Sequence, residues 1–198
     1  MNTTRHTHDR IPWITALIVG ISVAIHLCGL DDTFEYRRGH WLGMATCHLS
    51  HYSWSHIAWS LGTFALLGTV CELRGRGRFC LCLVCGAATI PVGLSLFQPS
   101  LLHYRGISGI DSALFFLLAV EIAVRERFDC PGLSRGAFVL MCAFASKVLF
   151  EHFTRSAVFA DSSGGAFVPA PLSHLIGAAV GAVSAMRVQL PCRAEASL

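Results

Sequence analysis

The sequence predicts an all-α membrane protein, a single bundle of six membrane-spanning helices with both ends of the chain in the cytoplasm. Hydrophobic residues make up 54% of the 198 residues, and charged residues make up only 14%. A soluble domain carries about 25% charged residues, so this chain has too few to cover a water-exposed surface. Apolar runs of about 20 residues, long enough to cross a bilayer, recur along the chain. Arginines are concentrated in alternate loops, which favours one orientation in the membrane.

The predicted spans are separated by short polar segments. They cover residues 11–30, 56–71, 79–97, 108–124, 136–153 and 171–186. The first is too long for the apolar part of a signal peptide, and we interpret it as a retained helix. A basic turn over residues 72–78 should separate the second span from the third. We expect one membrane domain over residues 11–187, flanked by cytoplasmic tails over 1–10 and 188–198, with no internal repeat.

The distribution of arginine sets the predicted orientation. The side that holds both termini carries Arg5, Arg10, Arg74, Arg76, Arg78, Arg125, Arg127, Arg135, Arg187 and Arg193, and the opposite side carries Arg37, Arg38, Arg105 and Arg155. Because basic residues favour the cytoplasmic side, the termini should lie in the cytoplasm. The expected location is the bacterial inner membrane, as an integral multi-pass protein. The net charge of +3 is small and scattered, so no nucleic-acid partner is expected.

The nine cysteines do not indicate a metal site or a disulfide framework. Most lie in or beside apolar segments, where cysteine behaves as a small hydrophobic residue: Cys28, Cys71, Cys80, Cys82, Cys85 and Cys142. The cluster at positions 80, 82 and 85 has no second ligand pair at a zinc-finger spacing. We therefore expect no metal and no other cofactor.

Polar side chains inside the predicted spans are the candidates for function, because burying them in lipid is costly. The second span and the half-polar stretch over residues 40–56 that merges into it carry His48, His51, His56 and Ser60. The fourth span begins with Ser108, Asp111 and Ser112, and the sixth carries His174 one turn in. In the predicted topology all three spans start from the outer side. These groups should therefore lie at a similar depth in the outer half of the membrane.

This combination suits serine hydrolysis. A serine hydroxyl becomes a good nucleophile when a nearby histidine takes its proton, which fits Ser108 and His174. The oxyanion that forms needs fixed donors, and backbone N–H groups at the helix start, around Ile107 and Ser108, can supply them. Gly106 and Gly109 allow close approach there. A side chain at His56 can add a further donor.

The sixth span also carries small residues that favour close helix packing. We expect it to pack against the fourth span. Gly177 and Gly181 follow His174 at spacings that place small residues along one helix face. Such packing can hold the base in place without a third, orienting carboxylate.

Simpler interpretations remain open for each of these residues. A single histidine on an apolar helix is more often a structural hydrogen-bonding group. His48, His51 and His56 can be considered as metal ligands, but their spacing does not place them on one helix face. Asp111 is either a buried helix partner or a group that orients a histidine. Lys147 and Glu151, four residues apart in the fifth span, are predicted to form an ion pair within their helix.

These motifs together resemble the rhomboid intramembrane serine proteases. The resemblance rests on His48-x-x-His51-x-x-x-x-His56, on Gly106-Ile107-Ser108-Gly109 and on His174-x-x-Gly177, in that order along the chain. It implies that Ser108 is the nucleophile, that His174 is the general base, and that the Ser108 N–H and His56 bind the oxyanion. The sequences Tyr104-Arg105-Gly106 and Lys147 with Glu151 are most similar to the rhombosortase branch. That branch is thought to process secreted proteins at a glycine-rich C-terminal tail anchor.

Three positions depart from the family pattern. Ser60 stands where an asparagine is usual, so the donor on the oxyanion side is shorter. Ser112 stands where many members have an aromatic residue that packs on the base, so His174 must be held differently. Trp41 is followed by Leu42, whereas the family has a Trp-Arg pair.

The sequence therefore predicts an intramembrane serine endopeptidase whose partners are the lipid bilayer and substrates with a transmembrane segment. Two other functions are considered: a catalytically inactive rhomboid-like binder of membrane proteins, and a histidine-lined transporter of metal ions or protons. Both catalytic residues of the family pattern are present, which favours the protease.

Overall fold

The computed structural model describes residues 11–154, 156 and 170–186, and these are mostly α-helical. The helices are α1 (Trp13–Leu27), α2 (Asp31–Phe34), α3 (Trp41–Thr46), α4 (Trp54–Phe97), α5 (Ser108–Arg125), α6 (Pro131–Thr154) and α7 (Pro171–Met186). A 3-10 turn spans Cys47–Leu49. Two short strands, β1 (Tyr36–Arg37) and β2 (His103–Tyr104), pair antiparallel. The predicted tails lie outside the described residues.

Helix α4 consists of two helices joined at a kink at Gly75, which lies within the predicted basic turn over residues 72–78. It runs for 44 residues, and residues 72–78 are helical except at Gly75, whose φ of −178° and ψ of 89° break the helix. The charges of this segment are paired instead of forming a solvated loop. The Arg76 guanidinium lies 3.2 Å from the Glu72 carboxylate one turn earlier, and Arg78 lies 2.7 Å from Glu121 of α5. Pairing lets the helical backbone continue on both sides of the break.

By length and composition, two helices of the described part of the chain are long and apolar enough to cross a membrane, α4 and α6. Helices α1 and α7 are apolar but shorter. Many large apolar side chains on the outside of the bundle are exposed, among them Leu66, Val84, Phe138 and Leu140. So much exposed apolar surface suits contact with lipid better than contact with water.

Helix α5 is the centre of the bundle and packs against α4, α6 and α7. Its buried face includes Ala113, Leu114 and Leu117. The closest approach is to α7: a Cβ added at Gly177 would overlap the Gly109 carbonyl oxygen, and one added at Gly181 would overlap the Ala113 carbonyl oxygen. Two glycines one turn apart therefore let the two helix backbones touch, as the sequence predicted for this pair.

Helix α6 lies at the edge of the bundle. Only three of its side chains are buried, those of Ala137, Val148 and Glu151. Its contact with α5 includes Phe144, which stacks on Phe115 with ring centroids 5.7 Å apart. Most of its remaining surface is partly or fully exposed, which fits a helix that faces lipid.

Helix α1 is joined to α4 through its own N-terminus. Pro12 provides no side-chain cap, and the first N–H groups of a helix have no partners within it. The Glu72 carboxylate accepts them instead, from the N–H of Ile14 at 3.2 Å and from the N–H of Thr15 at 2.9 Å. It also accepts the Thr15 hydroxyl at 2.9 Å. A single fully buried carboxylate thus holds the start of α1.

Candidate active site

Ser108 and His174 lie within hydrogen-bonding distance of each other. Ser108 is the first residue of α5, and His174 lies in the first turn of α7. The Nε2 atom of His174 is 3.2 Å from the Ser108 Oγ. The distance follows from the helix contact described above, because Gly109 is the neighbour of Ser108 and Gly177 lies one turn beyond His174. A serine and a histidine in this arrangement can act as nucleophile and general base.

A cavity of about 290 Å³ opens beside this pair. Its walls come from four helices, and its lining is His56, Trp59, Ser60, Thr63, Leu67, Ser108, Asp111, Ser112, Phe115, Phe144, Lys147, Glu151 and His174. The cavity has room for part of a peptide chain together with water, which hydrolysis inside a membrane requires.

The other ring nitrogen of His174 faces α6. Its Nδ1 atom lies 3.3 Å from the Glu151 Oε2 and 3.3 Å from the Lys147 Nζ. The Lys147 Nζ in turn lies 2.8 Å from the same Glu151 oxygen. The predicted ion pair within the helix is therefore present. It is also part of the surroundings of His174, which the sequence interpretation did not anticipate.

Asp111 does not hold the histidine. It lines the cavity and is buried, and its Oδ1 atom has no hydrogen-bond partner among the described residues. No hydrogen bond or ion pair in that part of the chain joins it to His174, and the carboxylate at the Nδ1 atom is Glu151. The structure thus places a different carboxylate, that of Glu151, at Nδ1, and the close helix packing through Gly177 and Gly181 is present beside it. The physical reason is position: Asp111 is on α5, whereas Nδ1 faces α6.

Phe144 packs against His174 from α6. The two rings meet edge to face, with centroids 6.5 Å apart. Ser112, at the position where the family often has an aromatic residue, donates its hydroxyl to the Ser108 carbonyl at 3.0 Å. The aromatic contact with His174 thus comes from α6, whereas the family pattern places it on α5.

His56 lies next to the loop that leads into Ser108. It is in the first turn of α4, where its N–H donates to the Ser53 hydroxyl at 3.2 Å. Gly106 has a φ of +118°, and a Cβ there would come within 2.8 Å of the His56 ring. Gly106 is therefore needed both for its backbone conformation and for this contact. Ser60 lines the same side of the cavity one helical turn further on.

The N–H groups around Ser108 are available at a helix start. Ile107 is the N-terminal flanking residue of α5 and provides no side-chain cap. Its carbonyl oxygen accepts the N–H of Asp111 at 3.0 Å. The N–H groups of the first turn, including that of Ser108, have no partner within the helix and can bind an anion.

His48 and His51 do not line the cavity. The Nε2 of His48 lies 3.2 Å from the Ala87 carbonyl oxygen, so this residue joins the 3-10 turn to α4. The His51 ring packs against the His56 ring with centroids 5.1 Å apart. Among residues 11–154 and 170–186, no group of three or more histidine, cysteine or acidic side chains is arranged to hold a metal ion.

A charged cluster in the loops fixes the segment before Ser108. Glu35 is buried and accepts hydrogen bonds from Arg37, from Arg105 at 2.8 Å and from His103 at 3.0 Å. Burial by itself raises the pKa of Glu35, but these three donors outweigh it and hold the pKa below its usual range. The pKa of Arg105 is raised, since hydrogen bonds to Glu35 and Asp32 outweigh its burial. Next to it, the Gly106 N–H donates to the Cys47 carbonyl at 2.9 Å.

Taken together, these features define a class: a helical membrane protein with a serine–histidine pair at the ends of two closely packed apolar helices. A family model, the Rhomboid domain, matches residues 38–189. Since it covers most of the 198 residues, the chain belongs to the rhomboid family, and the resemblance to that family is confirmed. Rhomboid proteins are membrane proteins and are usually intramembrane serine proteases. No curated protein matches the chain.

Two residues of the site were missed by reasoning from the sequence, Glu151 as a neighbour of His174 and Phe144 as its aromatic contact. A signal for the first was present. An ionisable residue in an apolar span needs a partner, and His174 is a candidate partner for the Glu151 carboxylate as well as Lys147. No sequence signal pointed to Phe144, because the chain has 13 phenylalanines, mostly in apolar runs.

Proposed function

We propose that this chain is an intramembrane serine endopeptidase, with Ser108 as nucleophile and His174 as general base. The observation that carries the proposal is the 3.2 Å distance between the His174 Nε2 and the Ser108 Oγ, at a cavity large enough for a peptide segment. Membership of the rhomboid family supports the same reaction.

The mechanism follows from these positions. His174 Nε2 takes the Ser108 hydroxyl proton as Oγ attacks a peptide carbonyl. The resulting oxyanion is bound by the Ser108 N–H and by the His56 side chain. The protonated Nε2 then gives its proton to the leaving amine, and an acyl-enzyme remains on Ser108. Water enters through the cavity and its oxygen attacks the acyl carbon while His174 Nε2 removes its proton. The bond between the acyl carbon and Ser108 Oγ then breaks, His174 returns the proton to Oγ, and the acyl group leaves as a carboxylate.

The chain is proposed to span the bacterial inner membrane six times, with α4 providing two spans on either side of Gly75 and both termini in the cytoplasm. The positive-inside distribution of arginine supports this orientation. In this topology the site lies in the outer half of the membrane. A substrate helix must unwind locally before a carbonyl reaches Ser108, and glycine makes unwinding easier. A glycine-rich tail anchor, as in the rhombosortase branch, is therefore the proposed substrate class.

The test uses the full chain in proteoliposomes and a synthetic tail-anchor peptide with a Gly-Gly-Ser segment, an apolar span and a basic end. We expect cleavage and labelling by an alkyl fluorophosphonate, both abolished by Ser108→Ala and reduced to a slow but measurable residual rate by His174→Ala. Labelling without cleavage of this peptide would support the serine hydrolase site and reject the glycine-rich substrate class. A wild-type chain that binds the peptide but neither cleaves nor labels would reject the protease in favour of the inactive binder.

A further inference from the structure

The surroundings of the His174 Nδ1 atom pose a question about its tautomer. A neutral imidazole carries one N–H, and to take the Ser108 proton its Nε2 must be the bare nitrogen, so Nδ1 must carry the hydrogen. The two groups facing Nδ1 have opposite preferences. Glu151 accepts a hydrogen from Nδ1 and favours the productive tautomer, whereas Lys147 only donates and favours the unproductive one. Both lie 3.3 Å from Nδ1.

We propose that Glu151 is the positioning residue of a Ser108–His174–Glu151 triad, and that it selects the productive tautomer of His174 in competition with Lys147. The proposal rests on the protease function proposed above and adds a third member to its machinery. Glu151 touches no substrate; it acts through His174.

Geometry favours Glu151 in this competition. The Lys147 Nζ lies 2.8 Å from the Glu151 Oε2, closer than it lies to the histidine. An ammonium engaged by a carboxylate has its strongest partner already. The remaining lone pairs of the same carboxylate can accept the Nδ1 hydrogen, since a carboxylate offers about four acceptor positions. Lys147 thus compensates the charge of Glu151 in the apolar bundle while Glu151 holds the ring.

The proton balance is simple. When the Ser108 proton moves to Nε2, His174 becomes an imidazolium with hydrogens on both nitrogens. Its positive charge is then stabilised by the Glu151 carboxylate, whose proton count does not change. The proton on Nε2 leaves with the amine product. The other ionisable groups around the ring are His56 from α4, Asp111 from α5 and Lys147 from α6. Of these three, Lys147 lies 3.3 Å from Nδ1.

The test measures the rate at which an alkyl fluorophosphonate labels Ser108 in the full chain, because this rate depends on serine activation and needs no known substrate. Glu151→Gln keeps the size of the side chain but removes the anion and offers an amide donor to Nδ1. We expect labelling to fall by about 10²- to 10⁴-fold, as for tautomer loss in a soluble triad. The control is Glu121→Gln, which removes another buried, paired carboxylate, on α5 away from the pair, and should change labelling by less than about 3-fold.

A double-mutant cycle separates positioning from a structural role. If Glu151 acts through His174, then Glu151→Gln should have almost no further effect in a His174→Ala background. Equal loss in both backgrounds, or wild-type labelling of Glu151→Gln, would overturn the triad. Labelling that persists in Ser108→Ala would instead overturn the proposed protease itself, so the two failures are distinguishable.

Discussion

Helix α5 has two neighbours that are held to it in different ways. Its contact with α7 is backbone against backbone, through Gly177 and Gly181. Its contact with α6 is made by side chains, among them Phe115 and Phe144, and α6 buries only three residues. The first contact sets the distance between Ser108 and His174, the proposed nucleophile and base. The second brings the carboxylate to the base.

This difference indicates a division between rigid and adjustable parts of the site. A contact between two backbones has no rotamers to change, so the Ser108–His174 distance varies only if whole helices move. Lys147 and Glu151 reach His174 on flexible side chains from a helix with little burial. We therefore expect substitutions at the α5–α7 contact to affect both folding and catalysis, and substitutions on α6 to affect mainly catalysis. Four predictions follow that order, from the largest effect on Ser108 reactivity to the smallest.

Gly177→Ala should have the largest effect. Its Cβ would overlap the Gly109 carbonyl oxygen, so α7 must move away and carry His174 with it. We expect the free energy of unfolding to fall by about 1–3 kcal/mol and fluorophosphonate labelling to fall by about 10²-fold. The control is Gly136→Ala on α6, where a Cβ meets no described atom of another segment within 4 Å. Equal losses of stability and of labelling in the two variants would show that the backbone contact does not set the Ser108–His174 distance.

Lys147→Met should reduce labelling by about 10-fold or less, because Glu151 can still accept the Nδ1 hydrogen although its charge has lost a partner. In a Glu151→Gln background the same change should increase labelling, since it removes a donor that favours the unproductive tautomer. Melting temperatures of the wild type, the two single variants and the double variant show whether the increase in labelling reflects catalysis or folding. A double variant as slow as Glu151→Gln would contradict the competition between the two side chains.

Phe144→Ala should reduce labelling by about 3- to 10-fold, which corresponds to the loss of an aromatic contact of about 0.5–1.5 kcal/mol. The ring restrains His174 from the α6 side but does not determine its tautomer. Phe138→Ala, on the same helix with 63% of its surface exposed, provides the control and should leave labelling unchanged. A larger loss of labelling in Phe138→Ala would mean that the lipid-facing side of α6 affects Ser108 reactivity more than the side facing His174.

Glu35→Gln should change labelling least, by less than about 3-fold, and should show its effect in the pH dependence of stability. Because the pKa of Glu35 is lowered in the folded protein, its carboxylate stabilises the fold above the ordinary pKa, and this is lost as the pH falls through the lowered value. The variant should therefore be less stable than the wild type by about 1 kcal/mol at pH 7. The difference should begin to shrink as the pH falls below about 4.3, the ordinary pKa of glutamate, and should vanish below the lowered pKa of the folded protein. Thermal melts across this range measure it.

Asp32→Asn is the matched control for this prediction. Asp32 also pairs with Arg105, but 75% of its side chain is exposed, and exposed ion pairs contribute little. Its melting curves should follow those of the wild type at each pH. If Asp32→Asn and Glu35→Gln behaved alike, burial of the Glu35 carboxylate would not be the cause of the pH dependence.

The parts of this molecule that the sequence predicted are those set by short-range patterns. Small residues at Gly177 and Gly181 predicted a close helix contact, and a serine between glycines predicted that Ser108 lies at a helix start. The four-residue spacing of Lys147 and Glu151 predicted their ion pair. The rotation of α6 about its axis was not predictable, because its apolar residues surround the helix and mark no single buried face. For this reason the contact between Glu151 and His174 appears only in the structure.

The kink at Gly75 lies where two glycines and three arginines within residues 72–78 predicted a turn. The pairing of Arg78 with Glu121, 43 residues further along the chain, was not predictable from this local pattern. The six-span count, the orientation and the rhombosortase branch remain predictions.

The carboxylate of Glu72 has a consequence for how the protein is made. The ribosome releases the apolar α1 first, with the N–H groups of its first turn unsatisfied at Ile14 and Thr15. Their acceptor is synthesised 58 residues after Ile14. The first helix can therefore enter the bilayer early, but it cannot reach its final place until Glu72, in the first half of α4, has been synthesised. A chain stalled or truncated before residue 72 should expose α1 to quality-control proteases as an undocked segment.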